Sequence, residues 1–222
     1  MQKSRICVSV AREDLDAMYL DTQKAFKEGA DLVELRLDYM ELLDLEEVKK
    51  KFKTLEDKTI LTLRKKEEGG RFQGSETKRV ALLKQLQGWR AAYKDVELST
   101  LKDSKIKVDA NTIVSWHDFA STPSAKVMKA KLAATLEYGG MAKIVTTAKK
   151  LSDNLAVLDL YSKEMTGRLI AFCMGEEGKI SRILAPMLGS PLMYGCLEGA
   201  AVAPGQIPIS ELRGFYELFE VA

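Results

Sequence analysis

Lys143 stands as the only charged residue in the run Met141-Ala142-Lys143-Ile144-Val145. A lysine desolvated in such a run, with arginines nearby, favours its neutral amine, which attacks carbonyl carbon and forms an imine. His117 ends a second strand-like run and is the single histidine of the chain. One histidine excludes a His-rich metal site, but one imidazole suffices to move protons near neutral pH. The two groups make a workable pair. A protonated imine draws electrons from the neighbouring carbon, and the histidine takes and returns the proton. Each also has a plainer reading taken alone: Lys143 as a snorkelling surface lysine, His117 as a satisfied core histidine.

Elements that could position such a pair recur along the chain. Strand-like runs fall at 5–10, 32–37, 59–64, 95–98, 112–117, 142–147, 169–173 and 192–197. Helical patterns lie between or after them at 14–28, 44–52, 76–93, 124–138, 153–165, 180–188 and 210–219, with a short one at 102–107. Asp14, Ser124, Asp153 and Ser210 suit helix starts, and Gly29, Gly139 and Gly189 suit helix stops. Eight strand–helix units in 222 residues predict a single-domain (β/α)8 barrel over 1–222, near the lower size limit of about 200 residues. An open doubly wound sheet is the alternative. It lacks a GxGxxG after the first strand and a GxxxxGK[ST] anywhere.

Several strands carry polar residues where a covered parallel strand is normally aliphatic. In Val33-Glu34-Leu35-Arg36-Leu37-Asp38, alternation puts the aliphatics on one face and Glu34, Arg36 and Asp38 on the other. Thr62 and Arg64, Asp95, Glu97 and Ser99, and Ser115 and His117 repeat the pattern. With the aliphatics against the helices, these groups and Lys143 point into the barrel. Glu34–Arg36 and Glu97–Arg64 could be ion pairs of purely structural use. Polar groups from five strands are otherwise what an active-site floor requires, because burying charge is costly unless it is paired.

The loops that follow strands add binding groups. Glu68, in Arg64-Lys65-Lys66-Glu67-Glu68-Gly69-Gly70, can reach over the barrel mouth. Arg182 falls in the first turn of a helix after the seventh strand, suited to a carboxylate. Gln206 follows the Pro204-Gly205 turn after the eighth.

Seven segments in this order resemble the type I 3-dehydroquinase family, the imine-forming dehydratases. They are VELRLD (33–38), TLRKKEEGG (62–70), DVELS (95–99), SWHDF (115–119), AKIVTTA (142–148), MGEEGKISR (174–182) and APGQI (203–207). The resemblance spans residues 6–218. It implies a (β/α)8 barrel, no metal and no cofactor. The implied reaction is the syn elimination of water from 3-dehydroquinate, giving 3-dehydroshikimate in the shikimate pathway. It further implies that Lys143 forms the imine, His117 carries protons and Glu68 orients His117. Arg182 would bind the substrate carboxylate, and Glu34, Arg36, Arg64 and Gln206 its hydroxyl groups. Two places depart from or go beyond the pattern. Val202 stands where a serine often precedes APGQ, and Val145-Thr146-Thr147-Ala148 has no assigned role.

Two other functions compete. Another lysine-imine barrel, such as a class I aldolase, would want a phosphate cradle after strands seven and eight. A silent barrel binding a small carboxylate would bind without turnover. Composition narrows the partners. Net charge is +2, which gives no pull toward nucleic acid, and the apolar runs fall far short of the about 18 residues of a spanning helix. Three scattered cysteines without a CxxC pair suggest reduced, buried thiols and a cytoplasmic setting. Residues 1–6 do not resemble a signal peptide. The resemblance implies a homodimer. The stripe Leu212, Phe215, Leu218 and Phe219 could face a partner or cover the chain's own eighth strand.

Overall fold

Runs of aliphatic residues separated by amphipathic helices pair in parallel, because each helix returns the chain to the same end of the sheet. The computed structural model describes residues 3–219, so residues 1–2 and 220–222 of the expected unit lie outside the described residues. The strands are β1 (Arg5–Val10), β2 (Leu32–Arg36), β3 (Thr59–Thr62), β4 (Tyr93–Glu97), β5 (Thr112–His117), β6 (Met141–Thr147), β7 (Leu169–Met174) and β8 (Leu192–Gly195). The helices are α1 (Leu15–Lys27), α2 (Leu45–Phe52), α3 (Glu76–Gln87), α4 (Leu98–Asp103), α5 (Ala125–Leu136), α6 (Asp153–Leu158), α7 (Lys179–Leu184) and α8 (Ile209–Leu218).

All eight strands form one parallel sheet in the order β7-β6-β5-β4-β3-β2-β1-β8. β1 pairs with both β2 and β8, which wraps the sheet into a barrel and excludes the open doubly wound order. Side chains serve the backbone at the seam between β7 and β8. The Tyr161 hydroxyl bonds both the N–H and the C=O of Ala171, and Ser181 Oγ accepts from Cys173 N–H. On the facing edge Arg182 donates to the Tyr194 carbonyl at 3.2 Å.

The expected elements differ mainly at their ends. The helix expected over 76–93 stops at Gln87, where Gly88 caps it, and Tyr93 already belongs to β4. The pattern at 153–165 is α-helical only to Leu158, with a separate 3-10 turn over Lys163–Met165. The helix expected at 102–107 begins earlier, over Leu98–Asp103, and its charged tail is not helical. Asp14 caps α1 by accepting from Ala17 N–H, as expected. Ser124 is the N-cap residue of α5, though without a side-chain bond, and Asp153 and Ser210 lie in the first turns of α6 and α8, as expected. Gly29, Gly139 and Gly189 all take positive φ at helix ends.

The aliphatic alternates of the strands pack against the helices, and the polar alternates line the barrel interior. α8 turns Leu212 and Tyr216 inward, Leu212 lying beside Gly195 of β8, and leaves Leu218 and Phe219 of the stripe exposed. The three cysteines are free and buried. No helix among the described residues is long and apolar enough to cross a membrane.

Candidate active site

The polar alternates meet in a cleft at the C-terminal ends of the strands, about 530 Å³ including its open mouth. Glu34, Arg36, Arg64, Glu68, His117, Lys143, Arg182 and Gln206 all line it, so the structure brings together every residue to which the resemblance gives a role, while Asp38, Thr62, Asp95, Glu97, Ser99 and Ser115 do not line it.

Lys143 is 4% exposed, so the surface-lysine reading is excluded. Its Nζ donates to Asp95 Oδ2 at 3.0 Å and lies 3.9 Å from Glu34 Oε1. Its closest charged neighbours are therefore carboxylates rather than arginines. Asp95 is wholly buried. Burial opposes its charge, but Arg64, Lys143 and His117 and a hydrogen bond from Ser115 hold its carboxyl far below the usual range. Arg64 bridges Asp95 at 2.7 Å and Glu97 at 3.1 Å, and these anions keep it charged despite burial. The expected Arg64–Glu97 pair is present. The expected Glu34–Arg36 pair is not. Arg36 forms a bidentate pair with Asp38 at 2.9 and 2.8 Å, at the point where the chain leaves β2 and turns into a short 3-10 helix over Leu37–Tyr39. Glu34 instead accepts from Ser9 at 2.7 Å and Thr62 at 2.9 Å.

His117 Nδ1 lies 3.1 Å from Glu68 Oε2. Burial and then the charge of Arg64 push the imidazole down to about 4, although the Glu68 hydrogen bond works the other way. The ring is thus neutral at neutral pH. Nδ1–H donates to Glu68, which leaves Nε2 with its lone pair as a base. For Glu68, burial opposes the charge. The bond with His117, the charges of His117 and Arg64 and a 2.9 Å bond from Ser99 hold its carboxyl below the ordinary value. The turn that presents Glu68 needs its glycines. A Cβ on Gly70 would lie 1.9 Å from the Arg64 carbonyl oxygen.

Arg182 is 1% exposed, and no carboxylate among the described residues pairs with it. It stacks on the Phe172 ring at 4.2 Å, and its Nε has no partner. Burial brings the guanidinium down to about 10, barely offset by Tyr216 and two thiols. It therefore remains a cation at neutral pH without an anion. Such a group is costly to bury and calls for an anionic ligand.

Gln206 is held by the turn before it. Its Oε1 accepts from Val202 and Ala203 N–H, and its Nε2 donates to Ser9. Gly205 has φ of +72°, and a Cβ there would lie 2.2 Å from the Gly175 carbonyl oxygen, so the loops after β7 and β8 touch backbone to backbone. At Val202 the backbone N–H serves Gln206 while an apolar side chain faces the cleft. Thr146 and Thr147 find a use in the structure. They bond Thr122 Oγ1 at 2.9 Å and the Asp118 carbonyl at 2.9 Å, pinning the loop that leaves His117.

Sequence reasoning passed over Ser9 and Tyr194, both lining the cleft. The signal for Ser9 was its position in the strand beside Glu34, its register partner. Tyr194 sits in an apolar run and gave none. Among the described residues no cluster of three or more His, Cys, Asp or Glu is grouped as a metal site requires.

Comparison with known proteins decides the family. The model described as "Type I 3-dehydroquinase" matches residues 6–222. The chain belongs to this family. It is 34% identical over 222 residues to the 3-dehydroquinate dehydratase of Methanococcus maripaludis, covering 97% of this chain and 100% of that one. The enzyme of that name from Methanopyrus kandleri is also 34% identical, over 88% of this chain and 90% of its own. Among solved structures, the 3-dehydroquinate dehydratase of Aquifex aeolicus superposes with a TM-score of 0.79 at 33% identity, covering 97% of this chain and 98% of that one. The Geobacillus kaustophilus structure of that name, at 23% identity and a TM-score of 0.83, covers 98% and 91% and shares the fold. The family expected from the seven segments is thus shown, and its members are hydro-lyases.

Proposed function

We propose that this chain, with residues 1–222 acting as one catalytic unit, dehydrates 3-dehydroquinate to 3-dehydroshikimate through an imine on Lys143. One observation carries the reading. Arg182, a buried cation without an anionic partner, shares its cleft with a buried lysine and a neutral histidine. A substrate that is both a carboxylate and a ketone answers all three.

Arg182 takes the carboxylate, with charge-assisted hydrogen bonds that fix the ring in one pose. Lys143 Nζ adds to the ketone carbon, and the ketone oxygen leaves as water. The protonated imine then withdraws electrons from the C–H next to it. His117 Nε2 removes that proton, and the pair moves toward nitrogen to give an enamine. The enamine expels the hydroxyl group beyond it, to which the imidazolium returns the proton, so a second water leaves. Water then hydrolyses the conjugated imine, releasing the enone and restoring the amine. Glu68 holds the imidazole in the tautomer that leaves Nε2 free. Glu34, Arg36, Arg64 and Gln206 face the hydroxyl groups. A cytoplasmic homodimer belongs to this proposal and rests on the resemblance. Sedimentation equilibrium tests its assembly.

The test is the ultraviolet absorbance of the conjugated enone on adding 3-dehydroquinate, with and without borohydride. The expected result is enone growth that borohydride plus substrate abolishes, with the reduced adduct on Lys143. Growth insensitive to borohydride discards the imine, and no enone from folded protein discards the substrate.

A further inference from the structure

The mechanism needs the imine nitrogen to keep its proton, and an imine is a far weaker base than the amine it came from. We propose that the face of Tyr194 is a catalytic surface that keeps the Lys143 imine protonated. This rests on the imine reading above.

Lys143 Nζ lies 4.0 Å from the centroid of the Tyr194 ring, inside the range over which a ring face attracts a cation. Both residues are buried, so water does not screen the attraction. The ring is held from two sides. Arg182 binds the Tyr194 carbonyl, and the Phe172 ring lies 6.3 Å away across the seam. Phe172 in turn carries the Arg182 guanidinium, so the two rings at the seam each seat one cation of the site. Burial pushes the Tyr194 phenol well up, so the ring stays neutral. Its hydroxyl has no partner, so no hydrogen bond accounts for the residue.

Other charged or titratable groups surround Nζ: Asp95 of β4, Glu34 of β2, Arg64 just after β3, His117 of β5 and Cys7 of β1. Asp95 gives one anchor through an N–H bond. The ring gives a second that uses no N–H. An ammonium has three such bonds to donate, but an iminium has only one. The step balances. Lys–NH3⁺ and C=O yield Lys–NH⁺=C and water, the N–C bond forming, the C–O bond breaking and two nitrogen protons leaving with the oxygen. The positive charge stays at nitrogen, beside the ring.

The experiment follows the alkaline limb of kcat and of borohydride trapping at saturating 3-dehydroquinate, since borohydride reduces the protonated imine. Tyr194→Phe keeps the face and should keep the wild-type midpoint. Tyr194→Leu should lower it by about one pH unit, a tenfold loss of protonated imine on the alkaline side. Ring-fluorinated phenylalanines at position 194 preserve shape while draining the face, so they stay informative if the leucine variant does not fold. The midpoint should fall step by step with each fluorine. A flat series overturns the proposal, and so does a Tyr194→Phe shift as large as that of Tyr194→Leu, which would make the hydroxyl the working group. Absence of any wild-type adduct on Lys143 overturns the imine reading itself.

Discussion

Glu68 Oε2 accepts from two donors of His117, the ring Nδ1–H at 3.1 Å and the backbone N–H at 3.2 Å. One oxygen thus fixes both the backbone position and the ring orientation of the proton carrier. The other, Oε1, is held by Ser99.

Glu68→Gln keeps an oxygen that can accept from Nδ1–H but removes the negative charge that favours the imidazolium formed when His117 takes the proton. We expect kcat to fall about tenfold to a hundredfold, within the usual worth of a general base, with a smaller change in KM. Ser99→Ala removes one hydrogen bond of about 0.5–1.5 kcal/mol and should lower kcat about twofold to tenfold. Steady-state kinetics on both variants check the order. A Ser99→Ala loss exceeding that of Glu68→Gln would contradict it.

The pH dependence has a definite sign. His117 protonates near pH 4 in the folded state but near about 6.5 when unfolded. The unfolded chain therefore binds more protons between those values, and stability falls as pH drops from about 6.5 to about 4. Asp95, held far below the usual range, adds a further loss below about 4, where the unfolded carboxyl protonates first. Urea titrations across this range should show both, and His117→Asn should flatten the upper part alone. The acid limb of kcat/KM should lie near pH 4.

Arg182→Met removes a buried cation that lacks an anion. Its substrate contact is charge-assisted, worth about 1.5–3 kcal/mol, so kcat/KM should fall at least tenfold to a hundredfold. Thermal stability without substrate should be unchanged or raised, because the uncompensated charge is gone. Added product should raise the Tm of the wild type but not of the variant. A variant that binds product normally would exclude Arg182 from the carboxylate.

Gly205→Ala places a methyl group against the Gly175 carbonyl at a positive φ. A loss of about 1–3 kcal/mol is expected, with KM raised through Gln206. Ala substituted for Gly139, also at positive φ but with open space around it, is the comparison. It should destabilise less and leave KM alone.

The sequence by itself determined which side chains share a face. Period-two alternation assigns Glu34 and Arg36 to one side of β2 and Lys143 to the inner side of β6, because neighbouring residues of a strand point oppositely whatever surrounds them. The order of the strands and the loops that follow them placed His117, Glu68, Arg182 and Gln206 at one end of the barrel. Tertiary structure decided the partners. Arg36 bonds Asp38, Arg64 bridges two carboxylates of the neighbouring strand β4, and Arg182 is left without an anion. The Arg64 contacts depend on strand register, which brings together residues far apart in the chain, while the Arg36–Asp38 pair depends on the turn at the end of β2. Tyr194 was legible only in the tertiary structure. Its place beneath Lys143 follows from β8 pairing with β1 across the length of the chain, and no local pattern carries that information.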